Sequence, residues 1–285
     1  MNKDLARKLL NNAHDFMLSA TEYARSKNSK DWKYAILNLA AGIELVLKAR
    51  LALEHWALLF DDINTASEGR LKSGDFTGVN IKTSINRLEK ISKVRLPEFL
   101  KRNFDNLQKI RNKIIHYYFE IHEFDVKSLV AVGLNSFVYF YNEFLLQSNI
   151  GDESFTYNLC NTLLKFEEFV SARMESLRPQ LKVSKKPQTW YFIECPYCLQ
   201  DATVLVETKA KCLFCGHEDF LKDIAELISI NGRIEVCPSC KIDSVILHRS
   251  ENDNEYWECI ICGFFKGAPQ TWVDSDGKQL PYLRD

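Results

Sequence analysis

Eight of the nine cysteines lie within residues 195–262, as four pairs whose members are separated by two residues. Such a pair forms a tight turn that directs both sulfurs to one metal ion, and a second pair completes a tetrahedron. Four thiolates suit Zn²⁺ and leave no position open for water, which is typical of structural sites. The sequence therefore predicts two structural zinc ions, bound by Cys195, Cys198, Cys212 and Cys215 and by Cys237, Cys240, Cys259 and Cys262.

The cysteine pairs form an internal repeat. The segment CPYC at 195–198 matches CPSC at 237–240, and CLFCG at 212–216 matches CIICG at 259–263. The repeat favours metal binding by neighbouring pairs, although interleaved pairing is also compatible with the spacing. Thiol–disulfide exchange is a rival function, but it usually uses one pair at a helix start. A positive φ is expected at Gly216 and Gly263, which follow the last ligands.

Each predicted four-cysteine site, with the hairpins that carry it, is a zinc ribbon. The role of these two zinc ribbons stays open between nucleic-acid binding, protein binding and stabilisation of a small fold. After residue 178 the chain has 16 Asp or Glu and 12 Lys or Arg, which disfavours tight phosphate binding by the ribbons. His217 follows a ligand pair but is not expected to bind metal. The isolated Cys160 is expected to be a core residue.

A second set of reactive side chains comprises Arg111, Asn112 and His116. At about 100° per residue, Asn112 and His116 lie on one helix face about 40° apart, with Arg111 at its flank. Histidine titrates near neutral pH and can act as an acid or base, and the arginine fork matches a phosphate. The same spacing also arises by chance on surface helices, so it is a weak signal by itself.

Helical periodicity predicts that residues 1–178 form a bundle of helices, so that the chain is mainly α. The predicted helices cover residues 5–24, 32–59, 81–91, 97–119, 125–147 and 152–177. Asp125 and Asp152 are the predicted N-caps of the last two. Residues 61–80 are predicted to be a loop. On the helix that carries Arg111, the side chains of Ile110, Ile114 and Ile115 are expected to face the core.

Residues 179–189 are polar and basic, contain prolines, and are predicted to link two domains. Residues 190–285 are then predicted to form a tandem zinc-ribbon domain, with a helix over 219–230 between the two cysteine groups. Its predicted strands cover residues 190–194, 202–207, 233–236, 244–248 and 256–258.

The net charge of −1 favours neither nucleic acid nor membrane. However, residues 82–113 hold ten Lys or Arg and three acids, which is compatible with polyanion binding or with a solvated helix face. The N-terminus lacks the apolar run of a signal peptide. Residues 129–146 are apolar but carry Asn135, Asn142 and Glu143, which indicates a buried helix. A cytoplasmic protein without a membrane partner is therefore predicted.

The segment RNKIIHY at 111–117 resembles the signature of the HEPN superfamily, whose members are small helical bundles. Residues 35–49 look like the second helix of that fold, including its Glu-x3-Lys element at Glu44 and Lys48. An ordinary i,i+4 ion pair would explain these two residues, but their apolar neighbours favour partial burial. The resemblance covers roughly residues 5–150. The 61–80 loop is longer than a minimal bundle needs, and the zinc ribbons are an appended module.

Many HEPN proteins are metal-independent ribonucleases with an Arg-x4–6-His motif. The resemblance implies an endoribonuclease in which the ribose 2′-OH attacks the adjacent phosphorus, leaving a 2′,3′-cyclic phosphate. It assigns catalysis to Arg111, Asn112 and His116, and substrate binding or support to Lys113, Tyr117, Glu44 and Lys48.

The resemblance also implies an RNA substrate, a homodimer formed through the helical domain, and a role as a toxin or anti-phage effector. A regulatory protein or antitoxin would be a further partner. The alternative is a non-catalytic helical dimer whose zinc ribbons bind a protein or a nucleic acid. The intact set of Arg111, Asn112 and His116 favours the enzyme.

Overall fold

The computed structural model describes residues 2–26, 28, 30–117, 123–183, 194–206, 209–230, 232–249, 255–262 and 264–266. The chain divides into two compact units, Met1–Ser176 and Leu177–Asp285. The first unit is helical, whereas the second contains two small antiparallel sheets. A mainly α chain with a β-rich C-terminal part is therefore confirmed.

Eight α-helices are described between residues 2 and 183: α1 (Asn2–Ala24), α2 (Asp31–Glu54), α3 (Glu68–Ser73), α4 (Ile81–Lys90), α5 (Glu98–His116), α6 (Glu123–Phe140), α7 (Glu153–Thr162) and α8 (Glu167–Val183). Shorter helical segments join them. The 3₁₀ turns are Trp56–Leu59, Ile63–Thr65 and Leu163–Lys165, and a π-helical segment, Tyr141–Leu146, continues α6.

The second helix, α2, is the central element of the helical unit. It packs against α1, α4, α5 and α6. Its sequence is apolar on nearly every side, which is typical of a helix surrounded by other helices. Leu39, Ile43 and Leu47 are accordingly inaccessible to solvent. Close approach to α1 occurs at Gly42, where a Cβ atom would lie 3.3 Å from the carbonyl oxygen of Ala13.

Replacing Gly42 by valine is expected to lower the free energy of unfolding by about 1–3 kcal/mol, because a side chain overfills the α1–α2 contact. A Cβ atom there would also overlap the Met17 side chain. The matched control is Gly69→Ala, since no atom lies within 4 Å of the added methyl group. Urea unfolding followed by helical ellipticity measures both. Equal stability of Gly42→Val and wild type would contradict the predicted close packing.

The predicted helix over residues 32–59 is in fact two elements. Helix α2 ends at Glu54, and His55 is extended, with φ −162° and ψ 137°. The His55 ring accepts a hydrogen bond from the amide of Ala57, which caps the following 3₁₀ turn. A local side-chain bond therefore competes with continuation of the helix.

The predicted 61–80 loop contains two short helical elements. Ser67 caps the start of α3 by accepting from the Arg70 amide, and Gly74 ends it with φ +76°. Asp62 caps the preceding 3₁₀ turn in the same way. Cap chemistry supports these turns although their apolar periodicity is weak.

The predicted helix over 152–177 is also interrupted. Asp152 caps α7 as predicted, but α7 ends at Thr162, and the buried, extended Phe166 precedes α8. Helix α8 continues through Val183, so residues 179–183 of the predicted linker are helical. The rest of that linker, 184–189, lies outside the described residues.

Two further predicted helix ends shift. Helix α6 begins at Glu123, so Asp125 lies inside it and is not its N-cap. Helix α5 ends at His116, whereas the prediction extended it to Phe119, which lies outside the described residues.

Among the described residues, one apolar segment, Val126–Leu146, has the length and composition of a membrane-crossing helix. Most of it is buried inside the helical unit, as in the core helix of a soluble protein. The prediction of a buried helix here is confirmed, and the cytoplasmic location stays a prediction.

A buried polar cluster joins α1 to the π-helical segment. The His14 ring stacks on Phe155 at 3.6 Å between centroids, and its Nε2 lies 3.0 Å from the Tyr141 hydroxyl. That hydroxyl accepts a hydrogen bond from the Asp152 amide at 2.8 Å. Burial lowers the pKa of His14 to about 4 and raises the pKa of Tyr141 to about 12. The imidazole is therefore neutral at pH 7.

Acid is expected to destabilise the helical unit through His14. Its pKa is lower in the folded state than the ordinary 6.5, so the unfolded chain binds more protons between pH 6.5 and 4. The stabilisation is complete above pH 6.5 and is lost as the pH falls towards 4. It amounts to on the order of 2 kcal/mol after allowance for partial exposure. His14→Gln should show a smaller loss of unfolding free energy between pH 7.5 and 4.5. Identical losses of unfolding free energy in wild type and His14→Gln would refute the contribution of His14.

The C-terminal unit contains a three-stranded and a four-stranded antiparallel sheet. Four of the five predicted strands are found, and β2, β3 and β7 are additional. The predicted strand at 190–194 lies outside the described residues except for Glu194, which is not in a strand. The strands are β1 (Thr203–Val206), β2 (Lys209–Cys212), β3 (Glu218–Phe220), β4 (Ile234–Val236), β5 (Asp243–Arg249), β6 (Glu255–Cys259) and β7 (Phe265–Lys266).

One helix, α9 (Leu221–Ile228), joins the two sheets into a common core. It is shorter than the predicted 219–230 segment because Asp219 and Phe220 pair with β2. Buried residues of α9 cluster with one residue of β2, one of β5 and one after β6. The two ribbons therefore share an apolar core and are more than hairpins connected by a helix. The cluster comprises Ala210, Leu221, Ile224, Ala225, Ile246 and Ile260.

Candidate metal centres and candidate active site

The eight paired cysteines gather into two groups of four. In each group the sulfurs all lie within 4.8 Å of one another. The shortest contacts in the first group are 3.8 Å for Cys195–Cys215 and 3.7 Å for Cys198–Cys212. In the second group they are 3.5 Å for Cys237–Cys262 and 3.7 Å for Cys240–Cys259. Neighbouring pairs therefore form each group, as the internal repeat predicts.

These spacings fit zinc. A tetrahedral Zn²⁺ centre with Zn–S bonds of about 2.3 Å has sulfur–sulfur edges of about 3.8 Å. A disulfide would need the sulfurs to lie about 2.05 Å apart, and all nine cysteines are free thiols. Both four-cysteine groups can therefore bind a structural zinc ion.

All four turns share one backbone pattern. In each, the amide of the first cysteine donates to the carbonyl five residues later, at 2.8–3.1 Å. These bonds hold each pair of cysteines in a closed turn, which directs both sulfurs to the same metal position. The pairs of bonded residues are Cys195 and Gln200, Cys212 and His217, Cys237 and Ile242, and Cys259 and Phe264.

Three of the four pairs are followed by a described residue, and each of these three residues has a positive φ. Gly216 adopts +82°, which confirms the prediction, and Gly263 lies outside the described residues. Leu199 and Lys241 adopt +55° and +62°, although neither is glycine. Sequence reasoning missed these two positions because it looked for glycine, whereas the turn itself requires the left-handed backbone.

Backbone amides also stabilise thiolates in the second group. Burial alone would raise the pKa of Cys237, but amide donors from Cys240 and Ser239 lower it to about 7. Metal binding requires thiolates, so these amide donors favour it.

His217 belongs to neither group. Its Nε2 lies 2.6 Å from an Asp219 carboxylate oxygen, which also accepts from the Tyr197 hydroxyl at 2.9 Å. The prediction that this histidine is not a ligand agrees with that arrangement.

In the helical unit, Arg111 and Asn112 interact directly. The Arg111 guanidinium donates from Nη1 to the Asn112 side-chain oxygen at 3.0 Å. Both side chains are half-buried. The guanidinium is therefore turned towards the helix face that carries Asn112 and His116.

The other motif residues lie at the exposed end of α5. His116 is its last residue and is exposed, as is Lys113, and Tyr117 after it is 74% exposed. The prediction that the isoleucines face the core is wrong for Ile115, which is 48% exposed. Every fully buried residue of α5 lies in its first half, whereas Ile110 and Ile114 in its second half are half-buried.

A cavity of about 390 Å³ opens beside the motif, between α1, α2, α4 and α5. It brings together Glu44 and Arg111, two predicted site residues from different helices. His116 and Asn112 do not line it among the described residues. The lining residues are Asn12, Phe16, Leu37, Ala40, Ala41, Glu44, Leu45, Ile81, Gln108, Arg111 and Ile115.

The Glu44–Lys48 element forms an i,i+4 ion pair on α2. The Lys48 side chain is 17% exposed and that of Glu44 is 35% exposed, so the pair is partly buried as predicted. Lys48 also lies against the loop at Gly78, where its Nζ would be 3.1 Å from an added Cβ atom. Lys48 thus lies against the loop, while Glu44 is among the residues that line the cavity.

Part of the basic segment has a local structural role. Arg87 donates to the carbonyls of Leu58, Phe60 and Asp61, while Lys101 pairs with Glu89 and Glu98 and Lys109 pairs with Asp105. Other cations of this segment are exposed, namely Lys82, Lys90, Lys93, Arg95, Arg102 and Lys113. Both interpretations of the segment, polyanion binding and a solvated face, stay open.

Sequence reasoning missed three polar or aromatic residues of the cavity: Asn12, Phe16 and Gln108. Gln108 lies one helical turn before Arg111, so the α5 stripe formed by Gln108, Arg111 and Ile115 could have been recognised by its spacing. Asn12 and Phe16 belong to α1, and the sequence does not indicate where α1 crosses α5.

Comparison of the chain with known protein families, with curated proteins and with solved structures finds no match in any of the three.

Proposed function

We propose that the helical unit is a metal-independent endoribonuclease of the HEPN type. One observation carries the proposal: Arg111 lines a cavity, and its guanidinium is hydrogen-bonded to Asn112. Arg111 therefore connects the cavity with the helix face that carries His116. A phosphate on this guanidinium would lie between a pocket and a residue that can transfer a proton.

The proposed reaction is attack by the ribose 2′-OH on the adjacent phosphorus, leaving a 2′,3′-cyclic phosphate and a 5′-OH. Arg111 stabilises the charge that develops on the phosphate oxygens. Asn112 fixes the guanidinium through their hydrogen bond. His116 transfers the proton. Lys113 and Tyr117, both exposed beside it, contact the flanking phosphate and a base.

We further propose that two copies complete the site. One histidine does not easily serve as both acid and base in a single step. Ile115 is 48% exposed and Tyr117 is 74% exposed next to His116, so a partner packed on this surface could bury both side chains. A second α5 packed on this surface would cover them and supply a second His116.

In this proposal the two four-cysteine groups hold structural zinc ions, and the ribbons recruit, sense or regulate. Their acidic composition disfavours general RNA binding. A toxin or anti-phage role, with an antitoxin or other regulatory protein as partner, belongs to the same proposal.

The direct test is incubation of the purified full chain with total RNA, followed by sequencing of the fragment ends. New ends with 2′,3′-cyclic phosphate and 5′-OH groups are expected, and mass in solution should indicate a dimer. A protein that dimerises and binds a macromolecule but leaves RNA intact would instead be the non-catalytic binding protein.

A further inference from the structure

The cavity beside Arg111 has the dimensions and walls of a nucleobase site. Its volume of about 390 Å³ lies within the range of small-molecule pockets, about 300–1,000 Å³. Phe16, Leu37, Leu45 and Ile81 provide aromatic and aliphatic walls. Unpaired RNA bases are commonly bound between such walls and read along their hydrogen-bonding edges.

The polar groups in the walls are few and chemically distinct. Glu44 contributes a carboxylate, which only accepts hydrogen bonds when ionised. Its Oε1 accepts from the Lys48 ammonium, which fixes the carboxylate on α2. The Glu44 side chain is 35% exposed and is part of the cavity lining, and the carboxylate has acceptor capacity beyond this one bond. Gln108 adds an amide that both donates and accepts.

A fixed carboxylate discriminates among the four bases. Guanine presents two adjacent donors, N1–H and N2–H₂, that a carboxylate accepts together, and its O6 accepts from an amide donor such as that of Gln108. Uracil presents carbonyl oxygens on both sides of N3–H, which a carboxylate repels. Adenine and cytosine each present one amino donor next to a ring nitrogen that is an acceptor.

We propose that this cavity binds the guanine base of a nucleotide bordering the phosphate held by Arg111, and that Glu44 determines the base preference. The inference rests on the proposed function for the identity of that phosphate. The position of Arg111 joins the base site and the phosphate site, since Arg111 lines the cavity and its guanidinium contacts Asn112.

Calorimetric titration of the full chain with nucleoside monophosphates tests the pocket without any cleavage. Guanosine 3′- and 5′-monophosphate represent the two nucleotides that share a phosphate. At least one should bind with a Kd about tenfold lower than its adenosine, cytidine and uridine counterparts, as expected for a paired donor contact. Equal affinity for all four bases, or no binding at millimolar concentration, would overturn the proposal.

The decisive variant is Glu44→Gln, which keeps the size of the side chain but replaces one acceptor oxygen by a donor. Guanosine affinity should fall about tenfold, while affinity for the other three nucleotides should change less than about twofold. The matched control is Glu54→Gln on the same helix, because Glu54 forms a similar i,i+4 pair with Arg50 outside the cavity. Loss of guanine preference in both variants, or in neither, would contradict the role of Glu44.

The base preference of RNA cleavage separates this inference from the proposed function. RNA cut next to guanosine in wild type, and without preference in Glu44→Gln, supports both. If wild type cuts RNA without base preference, the guanine pocket is refuted but the proposed ribonuclease is not. If guanosine binding depends on Glu44 but RNA stays intact, the proposed ribonuclease is refuted but the pocket is not.

Discussion

Removal of zinc is expected to unfold residues 190–273 and to leave the helical unit folded. Among the described residues, the shared core of the C-terminal unit contains six buried apolar residues. Its sheets have three and four short strands, and so small a core rarely supplies more than about 3–5 kcal/mol. Structural zinc contributes apparent binding free energies of about 10–16 kcal/mol, which is folding free energy in such small units. The helical unit has its own core around α2.

Hydrogen exchange with and without a strong chelator measures this effect along the chain. Peptides from residues 194–266 should lose protection, whereas peptides from α1, α2 and α5 should keep it. Native mass spectrometry should show two zinc ions before chelation. Ribbons that stay protected after complete zinc loss, or a helical unit that loses protection with them, would refute the predicted independence.

A single-site variant examines the shared core separately. Cys240→Ser should remove one zinc ion and also increase exchange around α9, because α9 packs on both sheets. Exchange confined to β4–β7 would indicate that the two ribbons are stabilised independently. Cys160→Ser is the control, since this buried cysteine lies outside both four-cysteine groups.

His116→Ala is expected to reduce RNA cleavage by about 10²–10⁴-fold, the usual contribution of a general acid or base. Arg111→Ala should reduce it by about 10²–10³-fold, the usual effect of losing one group that stabilises transition-state charge. His116 is exposed, so its replacement should change stability by less than about 0.5 kcal/mol. Initial rates on a labelled RNA measure both, with Arg7→Ala, an exposed arginine on α1, as the control.

Mixing wild type with an excess of His116→Ala tests the composite site. A mixed dimer contains one His116 instead of the two that the composite site needs, so the wild-type activity should fall as mixed dimers form. Wild-type activity from a strict monomer would exclude a site built from two copies. If Arg7→Ala lost as much activity as Arg111→Ala, the specific role of Arg111 would be refuted.

Local chemistry explains why the metal centres could be predicted. A Cys-x-x-Cys turn places its two sulfurs by short-range backbone geometry, and the repeat of the turns indicated which pairs meet. The tendency of glycine to adopt a positive φ predicted this backbone at Gly216. It did not predict the same backbone at Leu199 or Lys241, because the closed turn imposes a positive φ on other residues as well. Helix ends at His55 and Phe166 depend on individual side-chain and packing contacts, and the periodicity did not reveal them.

The sequence by itself determined the four Cys-x-x-Cys turns, the helical character of α2 and the proximity of Arg111 to Asn112, since each depends on residues close together in the chain. Only the tertiary structure decided that Glu44 and Arg111 share a cavity with Phe16 and Gln108, and that α9 unites both ribbons in one core. It also decided that Ile115 is exposed. An apolar stripe identifies a surface that avoids water, but the crossing of distant helices determines whether anything covers it.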